Sequence, residues 1–458
     1  MVSLSPVGSP PDQDNSKFSI SASVVASSVK ITVAFCCFTR QNPNRQMNRR
    51  SRLPIATTQC QDTTAFARRA FSLAYPPRSL LDDLWVASVR ALATGFMLAC
   101  ASLANLYASG VDARANQFIG FDRFSAFEKS RGSKPGELVL TSPVIVGRIN
   151  WDELIASWNA DTPDGTYLKI EARALYPVSA TKYYTMGLWS SNPTRYPRES
   201  VPRQKDDDGS VATDTLTLNR PSVHLQVRLT LGGDYMMLPK LKFLGLALTD
   251  TRTSPAPLPP NPAAWDRLLP VPERSQMKYP NGKVLCSPTT VSMLLGFWAD
   301  KLNRPDLDHD VPEIADAIFD AKWKGTGNWA FNTAYAGAQR GMRAYVTRLS
   351  DVAELEEWIA SGIPVGLSLD YDRLRGKGPG PNGHLVVLVG FTAKGDPIIN
   401  DPGTSQNVRK TFPRKNLIYA WSYSRNAVYL VYPENSELPR DRFGHWDSWT
   451  AHLRIKHE

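Results

Sequence analysis

Cysteine is scarce in this chain of 458 residues: Cys36, Cys37, Cys60, Cys100 and Cys286 are all there are. Four of the five precede residue 101, so no intrachain disulfide can form beyond that point, and no pair has zinc-ligand spacing. A lone thiol in an otherwise cysteine-free body is either a small buried hydrophobe or a reactive group. Also missing are an ATP-binding P-loop, a set of membrane helices, and the clustered basic–aromatic stripe of a nucleic-acid binder. The formal charge of +10 does not restore that last reading. Residues 1–90 hold eleven Lys/Arg against five Asp, which is +6 of the total. Nothing calls for a cofactor or a metal. Hydrophobic content of 42% and charged content of 21% are ordinary for a globular protein, and the length suits two or three domains.

What is present is organised around Gln276 to Leu295. The stretch reads as a loop that delivers Cys286 to the start of a helix, with Ser287 as cap and Pro288 in the first position. Val291, Leu294, Leu295 and Trp298 recur at i, i+3, i+4 and i+7 and give that helix one buried face. Unpaired N–H groups and the helix dipole at its start favour a thiolate, which is the nucleophilic form. Gln276, ten residues upstream, can set a side-chain amide beside the thiol as an oxyanion donor. A thiolate needs a base. Gly383-His384-Leu385-Val386-Val387 opens a buried strand, and Ile398-Ile399-Asn400-Asp401-Pro402 is a short strand ending in a carboxylate. As adjacent antiparallel strands they would bring His384 to Asp401, which would orient the imidazole toward Cys286. Asn400 is the alternative orienting group. His224, on a strand elsewhere, and His309, in a charged loop, are weaker candidates.

Taken together, Gln276, Cys286-Ser287-Pro288-Thr289-Thr290, Gly383-His384-Leu385-Val386-Val387 and Asn400-Asp401-Pro402 resemble the bacterial C39-like cysteine peptidases of the papain-like fold. The resemblance spans roughly residues 265–434 and rests on the ordered set, since each piece alone is unspecific. It implies a catalytic Cys286–His384–Asp401 triad with Gln276 at the oxyanion hole, peptide-bond hydrolysis and no cofactor. The best-known members are fused to membrane transporters and cut double-glycine leaders, a context this chain lacks. The expected substrate is a peptide or protein, cell-wall peptide stems included. Two other uses stay open: amidase or transpeptidase chemistry on the same triad, and an inactive peptidase-like binding module.

The rest of the chain divides by composition. Residues 1–88 are polar and aperiodic, a disordered or over-extended leader. Residues 89–116 carry Arg90, the apolar run 91–104 and Ala113-Arg114-Ala115, the pattern of an export signal and hence of a periplasmic or extracellular protein. Any membrane contact is expected through this segment alone. Residues 117–250 read as all-β, with runs at 137–149, 166–175, 182–189, 211–218, 223–231 and 241–248, and a β-sandwich is the expected architecture. Trp151, Trp158 and Trp189 read as core in preference to a sugar platform, and Asp206-Asp207-Asp208-Gly209 as a polar loop in preference to a calcium site. The proline-rich segment at 251–264 is expected to be a semi-rigid linker. Within 265–434, helices are expected at 311–319 and 351–360 and strands at 363–369, 384–391, 398–400 and 428–432, an α+β layout. The aromatic loop 328–332 is expected to line the cleft, the 376–383 loop to form its mobile edge, and Asp370 and Asp372 to be exposed turn charges. Residues 435–458 read as a tail docked through its tryptophans.

Overall fold

Long strands that bend, not short straight ones, set the architecture of the first half. A computed structural model describes residues 114–254 and 257–448. The leader, the export segment up to residue 113, Trp449, His452 and His457 lie outside the described residues.

The first region holds β1 (Asn116–Phe121), β2 (Glu128–Arg131), β3 (Leu138–Thr141), β4 (Ile145–Asp161), β5 (Thr166–Tyr176), β6 (Ser179–Ala180), β7 (Tyr184–Trp189), β8 (Gly209–Ala212), β9 (Thr215–Gly233) and β10 (Lys240–Thr249). The period-two pattern predicted for 223–229 is realised. Leu225, Val227, Leu229 and Leu231 are buried, with less buried residues between them. Trp151, Trp158 and Trp189 are buried in the core, as their sequence setting suggested. With β18 (Trp446–Ser448) from the tail, the strands join into one curled 11-stranded sheet, ordered β18–β1–β10–β4–β9–β3–β2, with β5 and β8 also on β9 and with β6 and β7 on β5. The expected sandwich would have two separately bonded sheets. Here the 17-residue β4 and the 19-residue β9 carry the hydrogen bonding around the curl. Their ladder shifts register between Val146 and Glu153, beside Pro221, whose missing N–H falls in that break.

The second region contains β11 (Arg267–Leu268), α1 (Cys286–Leu302), α2 (Val311–Ile318), α3 (Trp329–Ala338), β12 (Met342–Arg348), α4 (Val352–Ala360), β13 (Val365–Asp370), α5 (Tyr371–Leu374), β14 (Gly383–Phe391), β15 (Pro397–Asn400), β16 (Arg409–Thr411), α6 (Arg414–Trp421) and β17 (Ala427–Pro433). Its sheet is antiparallel throughout, ordered β12–β17–β13–β14–β15–β16 with β11 on β14. Helix α1 is buried along most of its length against this sheet, and α4 begins under the predicted Asp351 cap, which accepts from the Ala353 and Glu354 N–H groups. The expected aromatic loop at 328–332 is the start of α3 instead. Asn328 caps it by accepting from Phe331 N–H, and Phe331 is buried edge-on against Trp158 and Trp189, turned away from solvent.

One hydrophobic core runs through both sheets. The edge strand β12 has its outward backbone groups satisfied by β4 side chains. Asn159 donates to Ala344 O at 2.7 Å and accepts from Ala344 N at 3.1 Å, and Ser157 accepts from Val346 N at 2.9 Å. Glu153 of β4 pairs with buried Arg348 and with Arg425. The proline-rich segment is fastened to α4: Leu258 N donates to Asp351 and Asn261 N to Glu356. The tail returns as β18 (Trp446–Ser448), parallel to β1, with Trp446 packed on Phe118, Tyr345 and Trp358. Among the described residues no helix is long and apolar enough to cross a membrane.

Candidate functional site

Helix α1 begins at Cys286 itself. Leu285 is the capping residue and supplies no side-chain bond. Ser287 is therefore inside the helix, and its hydroxyl meets Tyr429 Oη at 2.8 Å, correcting its predicted role as cap. The shift leaves Cys286 in the first helical position, where its N–H and that of Ser287 have no intrahelical acceptor. The short turn before it is held by Gln276, whose Nε2 donates to Gly282 O at 2.6 Å. Gly282 allows the close approach, because a Cβ there would lie 2.2 Å from Gln276 O. Gln276 N in turn donates to Pro402 O at 3.0 Å, which ties the turn before the cysteine to the turn after Asp401.

His384 enters from the start of β14, opposite Leu369 of β13. Asp401 follows directly on β15, the antiparallel neighbour of β14. His384 Nε2 meets Asp401 Oδ1 at 2.8 Å, and both residues are buried. That leaves Nδ1 as the ring nitrogen for Cys286, a partly exposed residue whose thiol is turned inward within reach of the imidazole. Asn400 does not compete: its amide donates to Val271 O and Pro272 O at 3.3 Å and accepts from Arg409. The predicted residues Cys286, His384 and Asp401 are thus brought into one chain of contacts, with Gln276 bracing the loops on either side.

The electrostatics favour a charged pair. Burial pushes the Cys286 thiol up, but the His384 hydrogen bond and charge, with the Leu385 and Ser287 N–H groups, outweigh it and leave the thiol lowered. Burial pushes His384 down, and its bonds to Asp401 and Cys286 reverse that and push it up to about 9. Asp401 is held below the usual carboxylate range: His384, the Gly403 N–H and the Tyr371 hydroxyl overcome its burial.

Two supporting residues went unread in the sequence. Tyr371 donates to Asp401 Oδ2 at 2.9 Å and lays its ring against His384, with centroids 4.2 Å apart. Gly403 donates to Asp401 Oδ1 at 2.9 Å, and a Cβ there would press on the His384 ring and on Tyr371 Oη, each 3.1 Å away. Asp370, expected as an exposed turn charge, is fully buried. It accepts from the Asp372, Arg373 and Gly380 N–H groups and thereby ties down the 376–383 loop expected to be a mobile edge. The other described histidines stand apart. His224 is half-buried on β9, His309 bonds Glu313 and Gln339, and His445 bonds Thr347 with its basicity pushed down to about 3 by burial. Asp206 clamps its own turn by accepting from the Asp208 and Gly209 N–H groups, and no cluster of metal-ligating side chains occurs among the described residues.

Comparison with known proteins divides the chain in the same way. Residues 137–248 match a Peptidase C39 N-terminal domain, and residues 268–429 match the Peptidase C39 like family. A crystal structure described as a C39-like peptidase from Bacillus anthracis overlaps 36% of this chain and 97% of its own, with 16% identity and a TM-score of 0.28. A family two carbohydrate esterase from Cellvibrio japonicus overlaps 32% of this chain and 37% of its own, with 13% identity and a TM-score of 0.14. Neither superposition carries a functional argument. No curated protein matches the chain.

Proposed function

This chain belongs to the C39-like peptidase family, and on that premise we propose that it is a cysteine peptidase acting through Cys286, His384 and Asp401. The observation that carries the reading is the unbroken contact chain from Asp401 through His384 to a thiol at the first position of a buried helix. In the mechanism, His384 holds the Cys286 proton and the thiolate attacks the scissile carbonyl. The Cys286 N–H and the second Nε2 hydrogen of Gln276 donate to the developing oxyanion. His384 then protonates the leaving amine. A thioester acyl-enzyme remains, and water, deprotonated by His384, hydrolyses it to the free acid. Asp401 keeps the imidazole oriented and stabilises its charged form, and Tyr371 and Gly403 keep Asp401 in place.

The helix-borne cysteine packed on an antiparallel sheet that supplies the histidine supports a papain-like arrangement of the second region. The export reading of the apolar run 91–104 remains part of the proposal. The mature N-terminus checks it: sequencing that finds Met1 retained would refute export.

The test of the mechanism is alkylation of Cys286 against pH, read on the peptide that carries it, together with peptide hydrolysis. Rapid labelling should plateau well below the free-thiol pKa of about 8.5, and the plateau should disappear in His384→Ala. Cys286→Ala should hydrolyse nothing. Labelling that rises only at alkaline pH, alike in both proteins, would remove the triad.

A further inference from the structure

One end of the curled sheet carries an exposed apolar turn. Between β9 and β10 the chain turns through Asp234-Tyr235-Met236-Met237-Leu238, and the four apolar side chains all face solvent. Tyr235 is 93% and Met236 77% exposed. Both hold left-handed backbone, with φ of 50° and 64°, which non-glycine residues adopt only when their surroundings impose it. The base of the turn imposes it here. Asp234 N donates to Gly165 O at 2.9 Å, Asp234 accepts from Tyr196 Oη at 2.6 Å and pairs with Arg195, and Met237 N closes back on Asp234 O at 2.9 Å. A braced base thus projects an apolar tip.

Beside the tip lies a polar groove of about 540 Å³ with Arg131, Lys134, Lys169 and Arg228 along it. The two are contiguous: Gly136 of the groove's rim approaches Met236, and Tyr167 of its floor pairs with Gly232 of β9. The groove's two carboxylates are already occupied. Glu171 takes Arg228 and Lys169, and Glu137 takes Tyr167 Oη and Lys134 N. Arg131 is left exposed without a carboxylate partner among the described residues, as is Lys240 immediately after the tip, while exposed Lys134 shares Glu137 and lies over the Tyr167 ring. Asp164 and Asp234 at the tip's base share Arg195, so the local balance stays positive.

We propose that this end of the first region docks on an anionic lipid bilayer, with Tyr235 to Leu238 entering the interface and the groove's cations meeting headgroup phosphates. Apolar side chains flanked by lysine and arginine are what a peripheral membrane contact requires, and a rigid tip loses little freedom on insertion. The proposal does not depend on the peptidase reading.

The experiment is cosedimentation of the full chain with vesicles of phosphatidylcholine, with and without phosphatidylglycerol. Two surface variants accompany it, Tyr235→Ser/Met236→Ser and Arg131→Glu/Lys134→Glu, each checked for an unchanged melting temperature. Binding should require phosphatidylglycerol, weaken with salt, and fall by about tenfold or more in each variant. The apolar run 91–104 is common to all three proteins. Equal binding by parent and variants would assign any membrane contact to that run and overturn the proposal. So would concentration-dependent self-association without lipid that the Tyr235→Ser/Met236→Ser change abolishes, because the tip's occupant would then be a second copy of the chain.

Discussion

At the residue scale the site depends on which groups share protons. The thiolate–imidazolium pair is populated between the lowered value of Cys286 and the value near 9 of His384, and the two limits belong to the pair jointly. Asp401→Asn removes the negative charge behind the imidazole. His384 then falls from about 9 toward its ordinary 6.5, and Cys286 loses the cation that lowers it. The labelling plateau should therefore begin at a higher pH, and the alkaline limb of hydrolysis, where the imidazolium loses its proton, should move down by about two pH units. Tyr371→Phe is the contrasting variant. Asp401 stays ionised and the ring still packs on His384, so both limits should hold while hydrolysis slows by about tenfold, the value of one hydrogen bond to a charged acceptor. Limits that move alike in both variants would show that Asp401 acts only by filling space. Cys286, His384 and Asp401, which the fold brings together, could be singled out in the sequence because each has few rivals: one cysteine beyond residue 100, one histidine opening a strand, one carboxylate closing the next. Tyr371 and Gly403 were not legible. Their roles come from a close approach across three chain segments, which no local pattern encodes.

Elements were legible where a cap or a period announced them. Helix α4 has Asp351 and an apolar face, and β14 is a continuous apolar run. They were lost where tertiary contacts supplied the missing half. Helix α3 has Asn, Thr and Gly along it and reads as a loop, and it is completed by packing Phe331 between tryptophans of the first region. Strand β12 was missed because its outer edge is finished by side chains instead of by another strand. That edge gives a measurable consequence. Asn159→Ala would leave the N–H and C=O of Ala344 buried without partners, each costing about 1–3 kcal/mol. Chemical denaturation should show a loss of that order. Asn159→Asp, which keeps an acceptor for the N–H but offers no donor to the carbonyl, should also destabilise. A loss in neither variant would mean that water replaces the side chain at this seam.

At the scale of the whole molecule, composition suggested a semi-rigid linker at the proline-rich segment; the structure has one core across both sheets and a seam built from polar groups that only folding brings together. Asp214 marks this seam. It lies in the turn between β8 and β9, and its carboxylate accepts from Trp329 N at 2.7 Å, the first N–H of α3. One region thus supplies an anion to the start of a helix in the other. Burial raises Asp214 to about 6, and the Trp329 N–H and Thr215 hydroxyl offset that only in part. The sign follows from proton counting. Between its ordinary value of 3.8 and its folded value of about 6, the folded protein holds a proton that the unfolded chain has released. The stability this group contributes is therefore full below its ordinary value and lost as pH rises through about 6. A shift of about two units corresponds to about 3 kcal/mol. Asp214→Asn keeps an acceptor for Trp329 N–H and cannot ionise. It should be more stable than the parent by up to about 3 kcal/mol near pH 8, with the difference shrinking toward zero as the pH is lowered to about 4. Denaturation midpoints at the two ends of that range measure it. A difference that stays constant with pH would show that the carboxylate is not desolvated at the seam. A variant less stable at every pH would show that its charge, through the helix start and nearby Arg348, holds the two regions together.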